Sequence, residues 1–104
     1  MKVSLRTRLI VHTISKLNIV FDHSKNEINI QQHQISLNDA VHFEWDHAIT
    51  WRDLRRDYGE HRMAGLGYIG NRLFFIVFVD RGDQRRVISL RKANQKEVKR
   101  YAKT

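Results

Sequence analysis

The sequence predicts an α+β domain with two N-terminal helices, an antiparallel sheet of about four strands and a C-terminal helix packed on that sheet. Three observations predict this class. Helix-capping residues come early in the chain, before any long apolar run. Short β-rich segments joined by turns fill the second half, and capping residues return near its end. A length of 104 residues suits a single core.

The chain is expected to divide into an N-terminal extension, residues 1–17, and one domain, residues 18–104. Cations followed by the apolar run Leu9–Val11 loosely suggest a secretion signal. His12 interrupts that run, however, and a signal needs roughly 7–15 apolar residues. We therefore interpret residues 1–17 as a cytoplasmic extension.

The first half of the domain predicts a strand and two helices. The β-rich run 18–21 leads to Asp22, a good N-cap, and the helix after it is expected to end near His33 and Gln34. Ser36, with Asp39 three residues later, is close to a capping box and predicts a second short helix. The apolar side of that second helix is expected to carry Leu37, Ala40, Val41 and Trp45.

The second half predicts the sheet. Three β-prone segments, 49–51, 62–69 and 86–91, flank the run Arg72–Val79, which lacks alternation and is therefore expected to be buried on both faces. The turn before residue 86 is short, which favours antiparallel pairing of the last two strands. Strict alternation would place Arg85, Val87, Ser89 and Arg91 on one face of the last strand, and Arg86, Ile88 and Leu90 on the other.

The chain is expected to end in a helix. Asn94 is its N-cap, and Glu97 completes a capping pair. Val98, Tyr101 and Ala102 share the face that packs on the sheet. The opposite face carries Lys96, Lys99, Arg100 and Lys103.

The charge of the chain is concentrated in its second half. Residues 1–51 carry equal numbers of cations and acids, so residues 52–104 hold the whole net charge of +8. Ten of the fourteen cations there are arginines, whose planar guanidinium groups bind phosphate oxygens in pairs. This composition favours nucleic-acid binding, but on composition alone a basic surface that merely keeps the protein soluble is an equal alternative.

Several function classes are excluded or disfavoured. The chain has no cysteine, which excludes disulfides and thiolate chemistry. Its longest apolar run, Leu73–Val79, is far shorter than the roughly 18 residues of a membrane span. The histidines other than His61 lack metal-ligand spacing, so neither a metal site nor a cofactor is expected.

The second half of the chain resembles the BrnT family of toxins, chiefly in the run Arg86–Ala93 followed by Glu97 and Tyr101. Further matching residues are Asp22, Lys25, Asn29, 33–37, Gly59–Arg62, Gly67 and Asp80–Gly82. Two positions depart from the family pattern. Gln34 replaces a glycine, so a left-handed helix cap there would cost about 1 kcal/mol. Phe78 replaces a frequent tyrosine, which removes one possible proton donor.

The resemblance implies a RelE-like fold and a metal-independent endoribonuclease that inhibits translation as the toxin of a type II toxin–antitoxin system. It also implies a cognate BrnA-like antitoxin, which neutralises the toxin in a hetero-oligomer. In that complex, only the antitoxin contacts operator DNA. The alternative function is a non-catalytic basic module that binds nucleic acid or an acidic protein partner.

RNA cleavage without a metal needs a base, an acid and cations around the phosphorus. We hypothesise that Arg62, Arg81 and Arg91 converge on the scissile phosphate, with Glu60 or His61 as the base. Tyr101 is the candidate acid or substrate-positioning hydroxyl. The cations expected to bind RNA elsewhere are Lys25, Arg72, Arg86 and Lys92.

Each candidate also has a structural alternative. Glu60 and Arg62 would form an ion pair if they share a strand face, and this is slightly favoured over a catalytic Glu60. Tyr101 could be a mostly buried ring with a satisfied hydroxyl, and a lone exposed histidine such as His61 is more often incidental. Two further residues, Trp45 and Trp51, could stack RNA bases, although packing in the core or against the antitoxin is favoured.

Overall fold

The computed structural model describes residues 18–104, and the predicted extension, residues 1–17, lies outside them. The helices are α1 (His23–His33) and α2 (Gln95–Ala102). The strands are β1 (Asn18–Val20), β2 (Ile49–Arg52), β3 (Met63–Ile69), β4 (Arg72–Arg81) and β5 (Gln84–Lys92). Two short 3₁₀ segments, Leu37–His42 and Trp45–His47, lie between α1 and β2. The α+β class is therefore confirmed.

The five strands form one sheet in the order β1-β5-β4-β3-β2. All neighbouring pairs are antiparallel except β1 and β5, which are parallel. The prediction of about four antiparallel strands is thus wrong by one strand and one orientation. The segment 18–21 supplies the extra strand, and the long connection between β1 and β5 allows parallel pairing.

Helix α1 begins and ends where the sequence predicts. The Asp22 side chain accepts a hydrogen bond from the Ser24 backbone N–H at 3.1 Å. At the other end, Gln34 adopts the left-handed conformation with φ 58°, and its N–H donates to the Ile30 carbonyl at 2.9 Å. The chain therefore keeps the left-handed cap that glycine usually forms. A residue with a side chain there lowers stability by roughly 1 kcal/mol relative to glycine.

The second predicted helix is wrong. Ser36 caps the segment as expected, but the backbone forms a 3₁₀ turn, and Trp45 begins a separate short turn. Leu37, Ala40 and Phe43 are all buried at intervals of three residues, which matches the three residues per turn of a 3₁₀-helix. Val41, predicted to be on the apolar side, is instead 52% exposed.

The hydrophobic core lies on both faces of β4, as the run without alternation predicts. We call one side the α1 face, where Phe74, Ile76 and Phe78 pack against the first 3₁₀ segment. The other side is the α2 face, where Phe75 and Val77 belong to the cluster that Tyr101 contacts. No helix within residues 18–104 is long and apolar enough to cross a membrane.

A β-bulge in β5 overturns the predicted alternation. Val77 of β4 pairs with Ser89, whereas the next residue, Phe78, pairs with Val87, so Ile88 is an extra residue. As a result Val87 and Leu90, three residues apart, both join the core of the α1 face.

The bulge redistributes the arginines of β5. Arg86 pairs with Val79 on the α2 face, and Arg91, beyond the bulge, lies over the Phe75 ring on that same face. Arg85 lies over Trp45 and Phe78 on the α1 face. The sequence-based prediction had separated Arg86 from Arg91 and grouped Arg91 with Arg85.

Candidate active site

The ends of β3, β4 and β5 bring four charged side chains together on the α2 face. Arg62 precedes β3, Arg81 ends β4 and Arg86 lies near the start of β5, so the antiparallel register places them at one end of the sheet. Glu60 accepts a hydrogen bond from Arg62 Nε at 3.0 Å and a longer one from Arg81 at 3.5 Å. We call these four residues the Glu60 cluster.

The Glu60 cluster carries more positive than negative charge. The hydrogen bond from Arg62 is the main cause that lowers the pKa of Glu60, and the charges of Arg81 and Arg86 lower it further. Two guanidinium groups thus share one ionised carboxylate and a third lies near it, which leaves donors free for an anion. A carboxyl group with a lowered pKa is a weak general base at neutral pH, so the ion-pair alternative for Glu60 is favoured.

Arg91 is the predicted catalytic arginine that the structure does not place in this cluster. Its two terminal nitrogens donate to the two carboxylate oxygens of Glu97, each at 2.9 Å. In the sheet register Arg91 is opposite Phe75, six positions along β4 from Arg81, which corresponds to about 20 Å. Arg62, Arg81 and Arg91 therefore share a face but do not meet at a single point.

Glu97 has two structural partners. Besides Arg91, its carboxylate accepts the Asn94 backbone N–H at 2.9 Å, which completes the predicted capping box of α2. Burial alone would raise the pKa of Glu97, but the hydrogen bonds from Arg91 and Asn94 outweigh it and the pKa is lowered. Glu97 thus joins helix α2 to strand β5.

The segment between β2 and β3 contributes residues that sequence reasoning missed. The buried Asp53 carboxylate accepts hydrogen bonds from Arg55 Nε at 2.8 Å and Nη2 at 2.7 Å, and from the Tyr58 hydroxyl at 3.2 Å. The bond from Arg55 is the main reason that the pKa of Asp53 falls to about 2. The Tyr58 ring also lies 4.3 Å from the Arg62 guanidinium. The Asp53-x-Arg55 spacing was the available signal.

His61 lies apart from its sequence neighbours Glu60 and Arg62. It lines a cavity of about 500 Å³ on the α1 face, together with Asp80 and Arg85. Arg85 donates to both Asp80 oxygens, at 2.7 and 2.8 Å. Met63, the first residue of β3, lines the same cavity, so His61 lies on the face that Met63 occupies two residues later.

The Tyr101 hydroxyl has a structural partner at the far end of the α2 face. It donates a hydrogen bond to the His47 backbone carbonyl at 2.8 Å. Its ring packs edge-on against Tyr68, with centroids 5.6 Å apart. The packing alternative for Tyr101 is favoured by both contacts.

The four cations predicted to bind RNA are distributed over the fold. Arg86 belongs to the Glu60 cluster, while Lys92 lines a cavity with Arg91 and Gln34 near the end of α1. Lys25 lies on α1, and Arg72 begins β4 at the opposite end of the sheet. Residues 18–104 contain no group of three His, Asp or Glu residues that could hold a metal ion.

Comparison with known proteins identifies one family. The family model described as the ribonuclease toxin BrnT of type II toxin–antitoxin systems matches residues 21–97. The crystal structure of the Brucella abortus ribonuclease toxin BrnT matches this fold with a TM-score of 0.61 and 25% sequence identity. The match covers 76% of this chain and 99% of the Brucella chain. No curated protein sequence matches the chain.

Proposed function

The chain belongs to the BrnT family of ribonuclease toxins of type II toxin–antitoxin systems, and from this premise we propose that the Glu60 cluster holds the scissile phosphate of RNA. The observation that carries the proposal is the sharing of one carboxylate by Arg62 and Arg81, with Arg86 near enough to affect its pKa. Such a group retains its net positive charge at all physiological pH values.

The cluster suits the electrostatic part of RNA cleavage. As the 2′-hydroxyl attacks, negative charge grows on the phosphorane oxygens, and fixed cations stabilise it more than they stabilise the ground state. Glu60 holds the largely covered Arg62 side chain at 3.0 Å and draws Arg81 to the same carboxylate at 3.5 Å, so the two charges lie close together before RNA binds. The arginines supply this positive charge themselves, and we propose that cleavage is independent of a metal ion.

The proton-transfer groups are proposed from the residue types that RNA cleavage needs. Glu60 positions the arginines, and His61 remains the candidate base. Tyr101, at the far end of the α2 face with its hydroxyl donating to the His47 carbonyl, is proposed as a substrate-positioning hydroxyl. A strand of RNA that passes around the sheet end would contact both Arg62 on the α2 face and His61 on the α1 face. Arg91 binds RNA further along the α2 face, and Lys25, Arg72 and Lys92 extend the contact surface.

A toxin of this class has an antitoxin partner and an RNA substrate. We propose that the antitoxin is BrnA-like, that it neutralises the toxin by covering the arginines of the α2 face, and that only the antitoxin contacts operator DNA. We further propose a RelE-like fold, an inhibition of translation in the cytoplasm and a domain that consists of residues 18–104.

Cleavage of RNA by the purified chain, free of antitoxin and with EDTA present, tests the proposal. We expect Arg62→Ala and Arg81→Ala each to lower kcat by about 10²- to 10³-fold, the usual cost of losing one group that stabilises transition-state charge. Lys96→Ala removes an exposed cation of α2 that lies outside the cluster, and we expect it to cleave normally.

Circular dichroism would show that the variants are folded. Full cleavage by folded Arg62→Ala and Arg81→Ala would overturn the assignment of the site. RNA that is bound but left intact by the wild-type chain would favour the non-catalytic basic module, which the family match argues against.

A further inference from the structure

A groove on the α2 face, separate from the Glu60 cluster, combines cations with aromatic rings. It encloses about 490 Å³ and lies between helix α2 and the segment that follows β2. Its lining includes Trp51, Leu54, Arg55, Phe75 and Arg100, and we call it the Trp51 groove.

The cations of the Trp51 groove lie over its rings. The Arg100 guanidinium is 3.8 Å from the centre of the Trp51 ring, and that of Arg55 is 5.6 Å from the Phe75 ring. Both distances are within the range of cation–π attraction. Arg91 approaches Phe75 as well, at 4.3 Å.

Arg55 and Arg100 are held in different ways. Asp53, whose side chain is only 2% exposed, fixes Arg55 through two hydrogen bonds. Arg100 forms no ion pair within residues 18–104, so the Trp51 ring positions its guanidinium while its N–H donors remain free for a ligand. The carboxylates near the groove, Asp53 and Glu97, are already paired with Arg55 and Arg91.

The rim of the groove offers apolar contact. Leu54 is 74% exposed, the highest value among the large apolar side chains of residues 18–104. A flat, partly apolar ligand with negative charge would satisfy Leu54, Trp51 and Arg100 together. A nucleotide has this chemistry, because its base stacks on aromatic and guanidinium planes and its phosphate accepts from arginine.

The Trp51 groove is connected to the Glu60 cluster through one side chain. Tyr58 donates to Asp53, which anchors Arg55 of the groove, and its ring contacts Arg62 of the cluster. The backbone N–H of Asp53 also donates to the Arg62 carbonyl at 2.8 Å. A single strand of RNA could therefore occupy both sites without leaving the α2 face.

We propose that the Trp51 groove is a second nucleotide subsite of the toxin, which stacks a base of the RNA near Trp51 and Leu54 and binds a flanking phosphate through Arg100. This inference rests on the proposed function, because it assumes that RNA lies across the Glu60 cluster. An acidic segment of the antitoxin is the competing occupant. The alternation of cations and rings favours the nucleotide.

Intrinsic fluorescence gives a direct test. The chain has two tryptophans, so Trp45→Phe leaves Trp51 as the sole reporter. The probe is a single-stranded 2′-deoxy oligonucleotide, which lacks the attacking hydroxyl, titrated at low salt. We expect the oligonucleotide to quench Trp51 emission. The midpoint of this quenching should equal the midpoint of binding measured from the fluorescence anisotropy of the labelled oligonucleotide. An anisotropy change with unaltered Trp51 emission would overturn the subsite, as would quenching by the cognate antitoxin but not by the oligonucleotide.

Binding by variants in the otherwise native chain provides an independent measurement. We expect Arg100→Gln to weaken oligonucleotide binding about tenfold, because it removes a charge-assisted hydrogen bond to a phosphate. Lys99→Gln, on the same helix but outside the lining of the groove, is the matched control and is expected to bind within twofold of the native chain. Weaker binding in Arg62→Ala alone would overturn the subsite and leave the proposed function intact. Unchanged binding in both Arg62→Ala and Arg100→Gln would overturn the proposed function as well.

Discussion

The side-chain amide of Asn29 satisfies both backbone polar groups of Leu90, which lies 61 residues further along the chain. Its nitrogen donates to the Leu90 carbonyl at 2.9 Å, and its oxygen accepts the Leu90 N–H at 3.1 Å. Strand β1 pairs with β5 only from Gln84 to Arg86, so it does not reach Leu90. Asn29 thus acts as a substitute for a strand at this edge.

We expect Asn29→Ala to lower the free energy of unfolding by about 2–3 kcal/mol, because it leaves the buried N–H and carbonyl of Leu90 without partners. Urea denaturation followed by circular dichroism measures the loss. Gln31→Ala, an exposed change on the same helix, is the control. A loss below about 0.5 kcal/mol for Asn29→Ala would show that water replaces the amide.

Glu60→Gln separates a positioning role from a base. If Glu60 only holds Arg62 and Arg81, the amide oxygen still accepts from Arg62, and we expect cleavage to fall less than tenfold. A general base would instead cost about 10²- to 10⁴-fold. Because the pKa of Glu60 lies below its ordinary value of 4.5, the wild-type rate should show no inflection from this group above pH 5. A pH–rate profile of both proteins checks the prediction.

Asp53 is expected to make stability depend on pH in acid. Its pKa falls from 3.8 to about 2 in the folded chain, so its contribution is fully present above pH 5 and is lost as pH falls toward 2. Allowing for solvent screening at the exposed Arg55, we expect about 1–2 kcal/mol. Thermal unfolding at pH 7, 4 and 2.5 should show that Asp53→Asn removes this dependence, whereas Asp46→Asn retains it.

Tyr101→Phe is expected to lower stability by about 1 kcal/mol, since it loses the hydrogen bond to the His47 carbonyl but keeps the ring contact with Tyr68. The melting temperature measures this effect. The cleavage rate of the same folded variant decides its chemical role, because removal of a general acid would lower kcat by 10²-fold or more.

Gly67 allows β3 to pass close to Phe43 and Ala48, the residues that end the two 3₁₀ segments. A Cβ atom at this position would lie 2.5 Å from Phe43 Cζ and 3.1 Å from the Ala48 Cβ. We expect Gly67→Ala to destabilise the fold by about 1–3 kcal/mol. Phe43→Leu in the same chain should recover part of that loss if the clash is the cause, and thermal denaturation of the single and double variants measures the recovery.

Local chemistry made much of the fold predictable. The caps at Asp22, Asn94 and Glu97 act within three residues of their partners. Both partners of each hydrogen bond are therefore visible in a short stretch of sequence. The uninterrupted apolar run of β4 likewise predicts that this strand is buried on both faces. The failure at Leu37–His42 has a local cause too, because a spacing of three residues suits both helix types over so short a segment.

The candidate site was predictable only in part. Glu60 and Arg62 are two residues apart, so their ion pair is visible in the sequence, and Arg81 joins them through the pairing of β3 with β4. The position of Arg91 depends on the bulge, and no residue type in β5 predicts a bulge there. The role of Asp53 depends on how a loop folds back over the sheet, and sequence alone does not specify that path.

Because β5 contains an extra residue, the number of residues in this strand determines which face of the sheet each arginine lies on. Each residue inserted or removed between Arg86 and Arg91 would turn one guanidinium toward the opposite side of the sheet. A deletion of Ile88 would therefore alter the electrostatic surface offered to RNA without changing a single arginine. If an alignment of such toxins places a gap between these two arginines, it pairs side chains that lie on opposite faces of the sheet.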